Sequence, residues 1–233
     1  MKFKVKLLYS ITFFLFLFSI VYGFIVKASL KDDVHIHKSL KEFDSFIVSN
    51  DDASEYTDIY FNNNIVNVDN LFAKSELVVV GKIADKRLNY NQAIKSEFKI
   101  EKILKSDSDE NNQLKKILVF EPSYFSFDTY NVQSGYNLME SNRSYLLFLK
   151  HLKTPKGYKY KKDEEITYMP VSTFYSKYVF KTKKDNTKLI SAQALNNLKY
   201  REIKDYDLLT SDAEIFNMYK TLKNELLKRG MVH

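Results

Sequence analysis

The chain has 233 residues, a formal net charge of +7 at pH 7, four His, no Cys and no Trp. Without Cys there can be no disulfide framework, thiol nucleophile or thiolate metal site, so an exported part must be held by its core alone. Lysines alternate with Asp and Glu without an arginine cluster, which argues against nucleic acid as a partner, and only five Gly leave no room for a glycine-rich phosphate loop.

Residues 1–28 read as a membrane anchor or signal segment. Leu7 to Val26 is uncharged, and about 20 residues of helix cover about 30 Å, the thickness of a bilayer core. Lys6 and Lys27 bracket the run, and Tyr9 and Tyr22 lie near its ends, where amphipathic rings favour the interface. The run is long for a signal peptide, which favours a retained anchor. Val26-Lys27-Ala28 still resembles a cleavage site, and cleavage after Ala28 would give a secreted chain. The short basic tail places the N-terminus inside and the remainder outside the cell membrane as a single-pass protein. Lys2, Lys4 and Lys6 carry three of the seven net charges, leaving about +4 beyond the membrane, enough for a loose attraction to an anionic envelope surface.

Residues 29–68 read as a juxtamembrane lead-in. Ser39–Val48 spaces Leu40, Phe43, Phe46 and Ile47 as a short amphipathic helix. His35 and His37, with Asp32 and Asp33 nearby, form the best metal-like cluster, since alternate residues of a strand point the same way. A polar linker explains them better, and no metal or cofactor is expected.

Residues 69–210 read as a β-domain. Asp69 can cap a short helix through Glu76. Leu77–Ile83 is a buried strand with Gly81 as a bulge or bend. Ser96–Leu104 alternates and then shifts phase at Ile103-Leu104, which predicts a second bulge. Lys116–Pro122 is a strand that ends at proline, and Ser123–Leu138, lacking a period, reads as a long loop. Ser144–Leu152 is a strong strand, and Gly157–Lys161 and Ile166–Met169 could pair or flank a turn. Tyr178–Lys181 and Lys188–Ile190 bracket a polar stretch in the manner of a hairpin. Residues 211–233 read as a C-terminal helix packed on the β-domain: Ser211–Glu214 is a capping box, Ile215, Met218, Tyr219, Leu222 and Leu226 follow at helical spacing, and Gly230 terminates. Short strands joined by polar turns point to a small antiparallel barrel.

Leu77–Ile83, Phe98–Lys105, Ile117–Val119, Tyr145–Leu149 and Tyr178–Lys188 together resemble a group of uncharacterised exported proteins of Gram-positive bacteria. Their core looks like an OB-type barrel similar to netrin-like and metalloproteinase-inhibitor domains. The likeness covers about half of the chain and rests on strand patterns. It implies the small OB-like antiparallel barrel; with the elements read above, the expected fold is mainly β, α+β overall, that barrel with a short N-terminal helix, a C-terminal amphipathic helix and a separate N-terminal transmembrane helix. Inhibitors of that type use an N-terminal Cys against a metal. Here there is no Cys and a membrane segment stands at the N-terminus, so no inhibitory residue carries over.

Candidate chemistry is sparse. His151 lacks a Gly-x-Ser-x-Gly partner motif, and Glu121, Asp128 and Glu140 flank the long loop as a glycosidase pair would, as would many triples in a chain with 29 acidic residues. The denser signal is aromatic. Tyr124, Phe125, Phe127, Tyr130 and Tyr136 gather in one predicted loop, with Tyr158, Tyr160 and Tyr168 later, and such rings give large contact area at low entropic cost. The expected function is therefore non-enzymatic: a membrane-tethered extracytoplasmic binding or inhibitor-like module. It would contact a protein or an envelope polymer through those five rings. A cell-envelope hydrolase and a structural or assembly protein are the alternatives.

Overall fold

A computed structural model describes residues 2–29, 42–51, 59–90, 92–108, 113–152, 154–180 and 186–231. The chain divides into two units, Met1–Asp33 and Val34–His233. The first is helix α1, Lys2–Ser29. Its stretch Tyr9–Val26 has a mean hydropathy of 2.1, making it long and apolar enough to cross a membrane or to serve as a signal sequence.

In the second unit, β2 (Leu77–Tyr90), β3 (Ala93–Ser106), β4 (Lys116–Glu121), β8 (Thr167–Pro170) and β7 (Ser144–His151) pair in that spatial order, and β7 returns to β2. The result is a closed five-stranded barrel with the order first-second-third-fifth-fourth-first, the OB arrangement. One pairing departs from the antiparallel expectation: β4 and β8 run parallel, with Leu118 opposite Thr167 and Val119 opposite Tyr168. β8 is antiparallel to β7, and closing a ring of five strands whose other neighbours are antiparallel leaves one parallel pair.

The expected bulges are present. The β2–β3 register slips between Val78 and Val79, where Leu104 is the extra residue, and again between Val80 and Gly81. A Cβ at Gly81 would lie 2.0 Å from the Lys99 carbonyl oxygen, so only glycine lets the two strands close at that corner.

The apolar runs in β2 and β7 are continuous because both faces are covered. Leu77, Val79, Leu147 and Leu149 join Phe98, Ile117 and Val119 in one core cluster, inside the barrel. Val78, Val80, Leu146 and Phe148 form a second cluster with Tyr178, Tyr219, Leu222 and Leu226. The C-terminal helix, α5 (Ala213–Lys228), supplies the last three of these and so lies on the outer face of β2 and β7. It buries Tyr219, Leu222 and Leu226 at helical spacing, while Ile215 and Met218 are only partly covered. Each leucine buried there contributes roughly 1.5–3 kcal/mol. Its cap is Asp212, one residue later than expected, accepting from the N–H groups of Glu214 (2.7 Å) and Ile215 (3.1 Å). Gly230, at φ +66°, ends it as expected. The short helix α2 (Val68–Lys74) is capped by Asn67 rather than Asp69, through a 2.7 Å bond from Asn70 N–H.

Three local expectations are corrected. Ser123–Leu138 is a hairpin, β5 (Ser123–Ser126) and β6 (Thr129–Gln133), and β6 pairs in parallel with β1 (Ile47–Asp51). Phe46–Val48 is therefore strand or strand entry rather than helix, and this part of the lead-in belongs to the folded unit; residues 30–41, with His35 and His37, lie outside the described residues. Finally, the two flanks of the supposed later hairpin part company. β9 (Lys177–Phe180) pairs with β7, and β10 (Lys188–Leu189) pairs with β11 (Leu209–Thr210). In each case a distant strand outcompetes the local partner. Two short helices, α3 (Ala192–Leu195) and α4 (Tyr200–Ile203), complete the chain and supply Leu195, Tyr200 and Ile203 to a third cluster with Phe43, Val48, Phe125 and Tyr130.

Candidate functional site

The five rings of the proposed contact loop do not form one exposed face. Phe125, Tyr130 and Tyr136 are buried, Tyr124 is partly covered, and only Phe127, 96% exposed at the hairpin turn with φ +46°, stands in solvent. Phe125 stacks on Phe43 with centroids 4.2 Å apart and meets Tyr200 edge-on at 5.1 Å; Tyr130 meets Tyr200 at 4.8 Å. The correction has a simple cause. Pairing with β1 gives the hairpin a second apolar surface to cover, and its own rings do so.

Beneath the hairpin runs a buried polar network. Arg87 donates from Nε to Ser96 Oγ (3.0 Å), from Nη1 to the Met139 carbonyl (2.9 Å) and from Nη2 to Glu121 Oε1 (2.8 Å). Ser96 Oγ donates to the same carboxylate oxygen (2.5 Å), and Met139 N–H donates to Oε2 (2.8 Å). Nearby, Lys177 Nζ donates to the Asn137 carbonyl and lies over the rings of Tyr136 (4.8 Å) and Tyr145 (5.7 Å). Burial pulls its ammonium down to about 8, against the opposing pull of Glu121 and Asp207. Glu140, raised by burial, accepts from Tyr200 Oη (3.2 Å).

Of the three carboxylates that flank the hairpin, Glu121 is sealed and bonded at both oxygens, Glu140 serves Tyr200, and Asp128 is exposed on the turn. The network ties β2, β3 and β4 to Met139, and Lys177 holds Asn137, in the segment that follows the hairpin strands. No group of three or more His, Asp or Glu suited to a metal ion occurs among the described residues.

The barrel face offers a different surface. A cleft of about 330 Å³ is bounded by Lys95 of β3, Phe120 of β4 and, from the β7–β8 connection, Leu152, Pro155, Tyr158, Tyr160 and Glu164. That volume is at the small end of ordinary ligand sites. The Tyr158 and Tyr160 rings stand nearly perpendicular, at 82° with centroids 6.4 Å apart, making a corner; Tyr158 is 42% exposed. Lys95 Nζ lies 5.8 Å from the Phe120 ring centroid on the opposite wall.

The loop is held in shape by its own polar groups. Tyr158 Oη donates to the Glu164 carboxylate (2.7 and 2.9 Å), which also accepts from Lys161 N–H (2.8 Å), and Tyr160 Oη donates to the Leu152 carbonyl (2.7 Å). Gly157, at φ +86°, turns the chain between Pro155 and Tyr158. Two rings at a corner, a cation on the facing wall and flanking hydroxyls suit a ligand with apolar or ring surfaces and a few polar groups. A larger groove of about 460 Å³ follows β3 beyond the end of β4, from Ile100 to Ser106, but no aromatic ring lines it.

His151 closes the base of the cleft's loop. Its ring lies 4.1 Å from that of Tyr168 and 5.3 Å from that of Tyr160, with Nδ1 at 2.8 Å from Glu76 Oε2 and Nε2 at 3.1 Å from the Glu165 carbonyl. A carboxylate partner is thus in place, as a hydrolytic triad requires, but the other nitrogen faces a carbonyl instead of a serine hydroxyl.

No family model, curated protein or solved structure matches the chain.

Proposed function

We propose that the chain is a membrane-tethered, extracytoplasmic binding module, and that its contact surface is the cleft between Tyr158, Tyr160 and Phe120. One observation carries this reading. The cleft is aromatic and partly open, and it is formed by the second and third barrel strands with the connection between the fourth and fifth, where OB barrels hold extended polymers. The ligand is a protein segment or an envelope polymer that presents ring or apolar surfaces to the tyrosine corner. Lys95 supplies a single positive charge.

Binding of the detergent-solubilised full chain to immobilised peptidoglycan, glycan arrays and peptide arrays tests this. A wild-type ligand found there should lose about 30-fold in affinity with Tyr158→Ala or Tyr160→Ala, the size of a tyrosine hot spot, and should be indifferent to Phe127→Ala. Equal binding by all four proteins would remove the cleft as the contact surface.

The tether has its own expected result. Mass spectrometry of the protein isolated from native membranes should find the N-terminal segment still attached. A mature chain starting at Ser29 would make the protein a secreted one.

A further inference from the structure

Both ring nitrogens of His151 face acceptors, Glu76 Oε2 on one side and the Glu165 carbonyl on the other. A neutral imidazole has only one N–H, so it can serve only one of them. The charged ring serves both. His151 ends β7 and Glu165 lies at the end of the β7–β8 connection, so the Nε2 bond ties that connection to the barrel; the neutral ring keeps its one N–H on Nδ1 for the Glu76 carboxylate, the stronger acceptor, and gives up the Glu165 bond. The His151 ring also stacks on Tyr160, which is a wall of the cleft. We propose that protonated His151 is a latch for the β7–β8 connection, closing the Tyr158–Tyr160 wall in mildly acid surroundings and releasing it when the ring loses its proton. The latch is a property of the chain itself; its effect on ligand affinity rests on the cleft being the binding site.

The surrounding groups agree in sign. Glu76 is the nearest charge. Lys150 lies on the same strand, Tyr160 and the exposed Glu165 come from the connection, and Tyr168 comes from β8. Lys105 and Asp107, near the Glu76 backbone, pair with each other at 3.1 Å. The hydrogen bond to Glu76 holds the His151 proton above its ordinary value of 6.5, and the same bond holds Glu76 below 4.5.

The histidine's contribution is complete below pH 6.5 and is lost as pH rises through its raised folded value. The carboxylate's is complete above pH 4.5 and is lost as pH falls through its lowered folded value. The latch therefore contributes fully between about pH 4.5 and 6.5, stays closed until pH reaches the raised His151 value, and opens above it.

The experiment uses the full chain in uncharged detergent micelles. Imidazole NMR follows the His151 titration, and hydrogen exchange, corrected for the intrinsic rate, follows the amides of residues 154–166. The His151 midpoint should lie above 6.5, and loop exchange should speed up about tenfold across that midpoint, the size of one lost charge-assisted hydrogen bond. Glu76→Gln should lower the midpoint and carry the loop transition with it. Loop protection that stays flat across the His151 titration, or a midpoint at or below 6.5 in the wild type, would overturn the latch. A working latch in a protein whose ligand binding ignores Tyr158→Ala would keep this inference and remove the binding surface.

Discussion

Arg87→Met is expected to destabilise the folded unit by about 3–5 kcal/mol, because it leaves the Glu121 carboxylate buried without its counter-charge. The side chains of Arg87 and Glu121 are 3% and 0% exposed and 2.8 Å apart. Removing the cation also strips Ser96 and the Met139 carbonyl of a donor, and unsatisfied buried groups carry most of such a loss. The double variant Arg87→Met, Glu121→Leu should recover much of the stability, since a well-packed apolar pair of similar volume can equal a buried ion pair. Urea denaturation of the full chain in detergent, followed by circular dichroism, gives both values. A single variant that loses less than about 1 kcal/mol, the level of an exposed pair, would mean that water reaches Glu121.

Gly81→Ala is expected to cost about 3 kcal/mol, the upper range for an overpacked core. The added methyl would stand 2.0 Å from the Lys99 carbonyl oxygen and 2.7 Å from a carbon of the Phe98 ring. The ring can turn; the carbonyl cannot retreat without opening the β2–β3 pairing at its bulge. By contrast, Gly23 and Gly157 have nothing within 4 Å of such a methyl. Gly157 is constrained by its φ of +86° instead, and Gly135 combines a φ of +74° with a methyl position 2.6 Å from the Leu209 carbonyl oxygen, so at Gly81 crowding acts without a positive φ. A thermal midpoint for Gly81→Ala within 2 °C of wild type would contradict the close approach.

The two effects differ in how they could be read. Gly81 stood out in the sequence, because a lone glycine in an apolar strand signals a bulge or close backbone approach. Arg87 and Glu121 carried no such signal. They are 34 positions apart, in stretches where charged residues are common, and only the closure of β2, β3 and β4 brings them together away from water. The same holds for the aromatic residues. Composition and spacing identified them as a cluster, but one-dimensional spacing does not say which side of a ring faces solvent. The partners that buried Phe125 and Tyr130 were Phe43 and Val48, about 80 residues earlier in the chain, and Tyr200, about 70 residues later.

By itself the sequence determined those features that depend on neighbouring residues. These are the apolar N-terminal helix, the buried strand at Leu77–Ile83 and the strong strand at Ser144–Leu152, the bulge at Gly81 and the phase shift at Ile103-Leu104, and the terminal helix with its glycine stop. Each follows from local periodicity or backbone freedom. Only the tertiary structure decided the parallel entry of β8, the loss of the expected pairing between Tyr178–Lys181 and Lys188–Ile190, and the place of the cleft. The cleft needs Lys95, Phe120 and the connection from Leu152 to Glu164 to converge on one barrel face. That convergence is set by long-range strand order, which no local pattern encodes.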